Sequence, residues 1–336
     1  MKIAIIGGGP AAFGALTRLI DIKKEFPSLK IDIFTSGNPN QEPNIYKNYK
    51  KSYSDLDINK IINNLKRQNK GILPQRFFNG KILQNFTNSL DKKSIKFSEK
   101  FGGVGNFWSS SLYTTNKYFD QYANKLGNLG EHYSFISKHI PISGQIDEKL
   151  SNFFDTDTIN CSPIPISDTL SDLIGFKKNY LNQNMDLGIG TNRFSININQ
   201  YKKNGCTLCG DCMYSCPRDA IFRASKYIFE MSQSSLCRIK YEKVFKIIFN
   251  SNKIKLKTRQ KNYFYDKVFL CGGALGTAEL ILRSFGNKDS ELCIYDNFLY
   301  YFPAISIKRK NTSLNGQSLE FAELAGGIFN HNDNSY

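Results

Sequence analysis

The stretch Met1–Ile20, MKIAIIGGGPAAFGALTRLI, most constrains what this chain can fold into. Lys2–Ile6 is short, β-branched and almost wholly apolar, as expected of a strand buried on both faces. Gly7, Gly8, Gly9 and Pro10 end it. Ala12, Ala15, Leu16, Leu19 and Ile20 then recur at helical spacing, and Lys23 and Lys24 complement the dipole at the helix C-terminus. Strand, glycine turn and helix in this order build a pyrophosphate site. Gly7 permits the tight turn, Gly9 lets the backbone approach the phosphates, and the helix N-terminus opening at Pro10 supplies N–H donors. Ala12 takes the third fingerprint position, where only close helix–strand packing is required. A secretory signal is the bland alternative. Pro10 and the glycines interrupt its apolar core, and no small-residue cleavage pattern follows.

A second strand is expected at Lys30–Phe34, with Ile31 and Ile33 alternating. The acid that would hold a ribose belongs at its end, where this chain has Thr35; a hydroxyl binds ribose less strongly than a carboxylate does. The region 38–100 is rich in Lys, Asn and Tyr, with a helix predicted over Ile58–Leu65. In Phe101–Tyr113, FGGVGNFWSSSLY, the glycines Gly102 and Gly103, with Asn106 and the only Trp, Trp108, make a tight loop able to approach a flat ligand. Helices are predicted at Tyr118–Leu126 and Thr169–Lys177.

Four of the eight cysteines crowd into one run, Cys206, Cys209, Cys212 and Cys216, followed by Pro217. The spacing C-x2-C-x2-C-x3-C-P is that of bacterial ferredoxins and predicts a [4Fe–4S] cluster. Zinc normally wants two pairs with a longer spacer, and a redox dithiol would leave two cysteines unexplained. In two-cluster ferredoxins the fourth cysteine serves the other cluster. Here either Cys216 closes the same cluster, or one of Cys161, Cys237, Cys271 and Cys293 does. The pattern is not a secreted disulfide framework, so a reducing, cytoplasmic location is expected.

With 336 residues, 40% of them hydrophobic and 22% charged, the chain has the composition of a soluble globular protein, and no apolar run reaches membrane-spanning length. The net charge of +16 raises nucleic acid as a partner. The lysines are scattered among asparagines without an arginine-rich tract, so a solvated basic surface and no nucleic-acid partner are expected.

Toward the C-terminus, Lys243–Phe249, Ile254–Thr258 and Tyr263–Phe269 read as a β-meander, with a turn at Asn250–Lys253. The strand Val268–Cys271 follows, then Gly272, Gly273, Ala274, Leu275 and Gly276 open a helix running through Leu282. This is a second strand–glycine–helix device.

The opening GGGPAAFGAL, the loop GGVGNFW and the segment VFLCGGALGTAELILRS, in this order, resemble the glucose–methanol–choline (GMC) oxidoreductases, which bind FAD. The resemblance implies an α/β fold: an FAD/NAD(P)-binding Rossmann-like domain, with parallel sheet and meander, interrupted by a partial substrate domain that carries the ferredoxin-like segment. It divides the chain into 1–113 and 226–295 for the FAD-binding domain, 114–204 for an inserted part, 205–225 for the cysteine segment and 296–336 for the start of a C-terminal substrate domain. By the same resemblance, Gly7, Gly9 and Ala12 flank the FAD pyrophosphate and Gly102, Gly103 and Asn106 lie near the flavin. Val244 lies near the adenine, and Gly272 and Gly273 near the ribityl–phosphate region.

The implied activity is oxidation of an alcohol or sugar CH–OH group, with electrons passed through the cluster to an external carrier. The family's acid–base His lies well beyond the final glycine-rich helix. Here the only late His is His331, in a polar tail, while His132 and His139 match no catalytic position. The catalytic residue is therefore unassigned, and a chain supplying the missing C-terminal part is an expected partner. A non-catalytic electron-transfer or cofactor-binding fragment is the alternative, as is a nicotinamide enzyme, since the first fingerprint alone does not separate NAD(P) from FAD.

Overall fold

The computed structural model describes residues 1–37, 98–106, 108, 110–114, 129–146, 149–152, 154, 157–167, 170–171, 174, 185–198, 205–208, 212, 216, 219–287, 290–294 and 324–330. In chain order the longer elements are β1 (Lys2–Ile6), α1 (Pro10–Glu25), β2 (Lys30–Phe34), α2 (Leu129–Ser137), β3 (Met185–Thr191), α3 (Ala224–Gln233), β4 (Arg238–Lys240), β5 (Lys246–Phe249), β6 (Ile254–Lys257), β7 (Asn262–Tyr265), β8 (Lys267–Leu270), α4 (Gly273–Phe285) and β9 (Leu324–Asn330). They fall into two compact units, one drawing its described residues from 1–37, 98–106 and 223–294, the other from 108–222 and 324–330.

The first unit is α/β and Rossmann-like. Its sheet has the order β4-β2-β1-β8, and each neighbouring pair is parallel. β1 sits in the middle, with Ile3, Ala4, Ile5 and Ile6 all buried, as its unbroken apolar run requires. α1 lays Ala12, Phe13, Leu16 and Leu19 inward, and Phe13 meets Tyr227 of α3 edge-on at 5.9 Å between ring centres. Ala4, Ile6 and Phe34 pack with Val244, Ile247, Leu256, Tyr263, Tyr265 and Leu280, joining the sheet to the meander and to α4.

The meander is three-stranded and antiparallel, in the order β5-β6-β7, with Asn250 N–H donating to the Lys253 carbonyl across the expected turn. The run Tyr263–Phe269 is not one strand. It breaks at Asp266, because Tyr265 still pairs with Ile254 in the meander whereas Lys267 already pairs with Ile3 in the parallel sheet. The first meander strand likewise begins at Lys246 rather than Lys243.

β2 departs from simple alternation. Ile31, Asp32, Ile33 and Phe34 are all buried, Asp32 with 0% exposure. Its carboxylate accepts from Arg238 Nε at 2.9 Å and from Tyr265 Oη at 2.7 Å. Burial, then the hydrogen bond to Asp32, pushes the Tyr265 phenol well above its ordinary range. A buried charge is tolerated here because β4 and β7 deliver its partners.

The second unit centres on Phe194 and Ile196, both wholly buried. Phe194 forms antiparallel bridges with Ser111 and with Ser143, and Ile196 with Ile221. Asn160 ties this region together: its Oδ1 accepts from Ile142 N–H at 2.8 Å and its Nδ2 donates to the Ser137 and Ile140 carbonyls at 2.7 and 2.9 Å. β3 and β9 pair antiparallel from Met185↔Asn330 to Thr191↔Leu324. Leu170, Ser171 and Ile174 are helical, within the predicted Thr169–Lys177. The predicted helices at Ile58–Leu65 and Tyr118–Leu126, and His331, lie outside the described residues.

Candidate functional site

Two glycine turns stand side by side on the C-terminal edge of the parallel sheet, since β1 and β8 are direct neighbours. That edge, outside the carboxyl ends of the strands, is where open α/β sheets bind ligands. At the first turn, Gly7 has φ +129°, and a Cβ there would lie 2.0 Å from the Cys271 carbonyl oxygen. Gly7 N–H donates to the Phe34 carbonyl at 2.8 Å, while Cys271 N–H donates to the Ile6 carbonyl at 2.7 Å. The turn is thus locked to β2 on one side and to β8 on the other.

α1 begins with Gly9 as its N-cap and Pro10 in its first turn, with no side-chain cap and no acid there. Uncapped N–H groups and an unneutralised dipole end are what a phosphate requires. Ala12 is wholly buried on the inner face of α1. A Cβ on Gly9 would meet nothing nearer than the Gly102 carbonyl oxygen at 3.4 Å, so protein packing alone does not demand a glycine there. The second turn is more open. Gly273 has φ +72°, and a Cβ on it would meet nothing within 4 Å.

A third segment, Ser98–Asn106, runs along the same edge. Phe101 lies on the first turn, its ring atoms 2.5 Å from where a Cβ of Gly8 would be, and Pro10 Cδ lies 2.7 Å from the corresponding position on Gly105. Gly102 and Gly103 both have positive φ, +90° and +58°, and lead into the 3-10 turn Gly103–Asn106. Asn106 is a brace: its Nδ2 donates to the Phe101 carbonyl at 2.7 Å, and its Oδ1 accepts from Ser225 Oγ at 2.7 Å. Ser36 Oγ donates to the Glu99 carbonyl at 3.0 Å.

Gly7, Gly9, Pro10, Ala12, Gly102, Gly103, Asn106, Gly272 and Gly273 therefore come from three segments that meet along β1 and α1. Thr35 is buried at the end of β2, its N–H donating to the Lys240 carbonyl. The Val244 side chain packs into the core beneath the meander. Sequence reasoning missed Gly8, Phe101, Glu99 and Ser225. The one available signal was the aromatic residue directly before Gly102-Gly103. Trp108, on the far side of the loop in sequence, belongs to the second unit and donates from Nε1 to the Phe222 carbonyl at 3.0 Å.

In the cysteine run, Cys206, Cys212 and Cys216 pack against the apolar cluster of Ile164, Phe194, Ile196, Leu208, Ala220 and Ile221, while Cys209 lies outside the described residues. Leu208 N–H reaches Cys206 Sγ and Ala220 N–H reaches Cys216 Sγ, each at 3.4 Å. Leu208, which supplies one of those amides, and Asp219, which precedes the other, hold left-handed backbone, φ +55° and +58°. The donor chemistry suits thiolate ligands. Among the described residues, however, no group of three or more His, Cys, Asp or Glu lies close enough to hold a metal ion.

Cys161 bridges to Ser143 in the second unit. Burial raises the thiols of Cys237 and Cys271 to about 12 and about 11, which keeps both protonated at neutral pH. Cys293 is exposed. No helix among the described residues is long and apolar enough to cross a membrane.

No family model and no curated protein matches the chain. Among solved structures it is similar to a fungal aryl-alcohol oxidase (11% identity, TM-score 0.43, covering 84% of this chain and 47% of that one). It is also similar to glycine oxidase from Geobacillus kaustophilus (13%, TM-score 0.28, covering 84% and 57%). A third is NikD, an amino acid oxidase essential for nikkomycin biosynthesis (10%, TM-score 0.30, covering 83% and 52%). The chain spans about half the length of these structures. Likeness at this level bears on neither the substrate nor the cofactor of this chain.

Proposed function

We propose that the chain is an FAD-dependent oxidoreductase of the GMC type, acting on an alcohol or sugar CH–OH group. The observation that carries this reading is the pairing of two strand–glycine–helix devices on adjacent parallel strands, with the Gly102–Asn106 loop packed onto the first turn. Gly7, Gly9 and the uncapped first turn of α1 would hold the pyrophosphate, through backbone N–H groups rather than charged side chains. Gly102 and Gly103 would present backbone to the flavin, with Asn106 holding that loop in shape. Gly272 and Gly273 would give room for the ribityl–phosphate region, and Val244 would back the adenine from the core side.

The C-x2-C-x2-C-x3-C-P spacing is what supports Cys206, Cys209, Cys212 and Cys216 as ligands of a [4Fe–4S] cluster; the described Cys206, Cys212 and Cys216 would have to draw closer together to hold it. Bound flavin would supply two-electron acceptance from carbon, and the cluster single-electron exchange with an external carrier. The chain's own part is to bind and orient these groups and to shape the electrostatics around them. The proton acceptor is unassigned among the described residues.

The test is the visible absorption spectrum of anaerobically purified protein, before and after dithionite, with iron and acid-labile sulfide measured on the same sample. Flavin peaks on a broad, bleachable shoulder support both cofactors. Flavin without iron keeps the oxidoreductase reading and gives the cysteines a structural role. Protein that stays colourless after reconstitution with FAD, iron and sulfide overturns it.

A further inference from the structure

The end of β2 lacks the carboxylate that a dinucleotide ribose needs, and the fold brings one there from another segment. Thr35 closes β2 with a buried hydroxyl. The next residue, Ser36, is hydrogen-bonded through Oγ to the Glu99 carbonyl at 3.0 Å. The one after that, Gly37, is so close to this segment that a Cβ would lie 2.1 Å from Phe101 N. Glu99 is therefore fixed beside the C-terminal end of β2, while Phe101, two residues on, lies on Gly8 of the pyrophosphate turn. A single strap spans both ends of the site.

The Glu99 carboxylate is also oriented. Lys243 Nζ contacts Glu99 Oε1 at 2.5 Å, with the side chains 33% and 30% exposed, so the pair is within reach of solvent. Lys243 directly precedes Val244 in the core under the meander, and it is flanked by Glu279 of α4 at 3.7 Å. A carboxylate has about four lone-pair sites, so a lysine and ribose hydroxyls can be accepted together.

We infer that Glu99 is the ribose-recognising acid of this site, accepting hydrogen bonds from the adenosine hydroxyls in place of the acid absent at Thr35, with Lys243 holding its carboxylate in position. The inference rests on the nucleotide-binding reading above. It adds a specificity determinant: adenosine diphosphates with intact ribose are preferred over deoxyribose analogues.

The experiment is calorimetric titration of the full chain, cleared of bound nucleotide, with ADP, 2′-deoxy-ADP and 3′-deoxy-ADP. Wild type, Glu99→Gln and Glu99→Asp are compared, with thermal unfolding as the folding control. The expected result is that wild type binds ADP about tenfold or more tightly than at least one deoxy analogue. Glu99→Gln should lose most of that preference by weakening ADP alone, and Glu99→Asp should regain part of it. A role confined to holding the strap would weaken all three ligands alike, and that outcome overturns the inference. Wild-type affinities that ignore the hydroxyls overturn it too, while leaving nucleotide binding intact. No binding of ADP or FAD by folded wild-type protein sinks the nucleotide reading itself, and Glu99 with it.

Discussion

The two glycine turns look alike in sequence and differ in what surrounds them. Gly7-Gly8-Gly9 is walled in by protein: the Cys271 carbonyl stands against Gly7, the Phe101 ring against Gly8 and Pro10 against Gly105. A Cβ on Gly272 would make only ordinary contacts, with Gly276 and Thr277 at 3.5 Å, while Gly273 faces open space and needs to be glycine only for its backbone angle. The first turn therefore needs its glycines for packing, whatever it binds, and in the second Gly273 is free of any packing demand. A glycine fingerprint in a sequence does not distinguish these two reasons for being glycine.

The sharpest way to break the comparison is to add a methyl group at each turn. Gly7→Ala meets backbone on a neighbouring strand and an unfavourable φ, so neither rotamer change nor side-chain shift relieves it. We expect a loss of about 3–5 kcal/mol in urea unfolding of the purified chain, summing backbone strain and overpacking. Gly273→Ala should cost only about 1–2 kcal/mol, the price of left-handed backbone for an L-residue. Gly276, inside α4 and also without neighbours within 4 Å of a Cβ, is the control: Ala there should stabilise by up to about 1 kcal/mol. Equal losses at Gly7 and Gly273 would erase the difference between the turns.

Much of this arrangement was legible in the sequence because it is local. β1, the glycine cluster and α1 follow from apolar runs and helical spacing, and so do β8 and α4. The hidden parts depend on partners distant in the chain. Asp32 reads as the exposed residue of an alternating strand, yet it is buried because Arg238 and Tyr265 reach it from β4 and β7. Tyr263–Phe269 reads as one strand because nothing local reveals that its two halves pair with different sheets. Glu99 carries no motif; only the folded strap brings it to the end of β2. The cysteine spacing, by contrast, is wholly local, yet the described Cys206, Cys212 and Cys216 are not drawn close enough to hold a metal ion, and Cys209 lies outside the described residues.

Gly9 sharpens the comparison in another way, because it sits in the walled turn yet has only an ordinary contact, Gly102 O at 3.4 Å. Its backbone is extended, φ −93° and ψ −166°, which any residue adopts. Gly9→Ala should therefore change stability by no more than about 0.5 kcal/mol. If Gly9 is glycine for the sake of a phosphate, the same substitution should weaken ADP or FAD by about tenfold or more, read by the same titration. Full affinity in the variant would remove Gly9 from the site.

The smallest effect concerns the opposite end of the same two strands. Lys2 N–H donates to Asp266 Oδ2 at 2.6 Å and Asp266 N–H to the Lys2 carbonyl at 2.8 Å, so the starts of β1 and β8 are clipped together as their ends are by Cys271. The hydrogen bond from Lys253, and then that from the Lys2 backbone, hold the Asp266 carboxyl below its ordinary value of 3.8. A depressed carboxylate contributes stability that is fully present above the unfolded value and is lost as pH falls through the folded one. In Asp266→Asn that contribution should be missing. The urea midpoints of wild type and variant should differ by a small, constant amount from about pH 8 to about pH 5 and converge below the ordinary carboxylate value. A gap that persists in acid would mean the clip acts through shape and not charge.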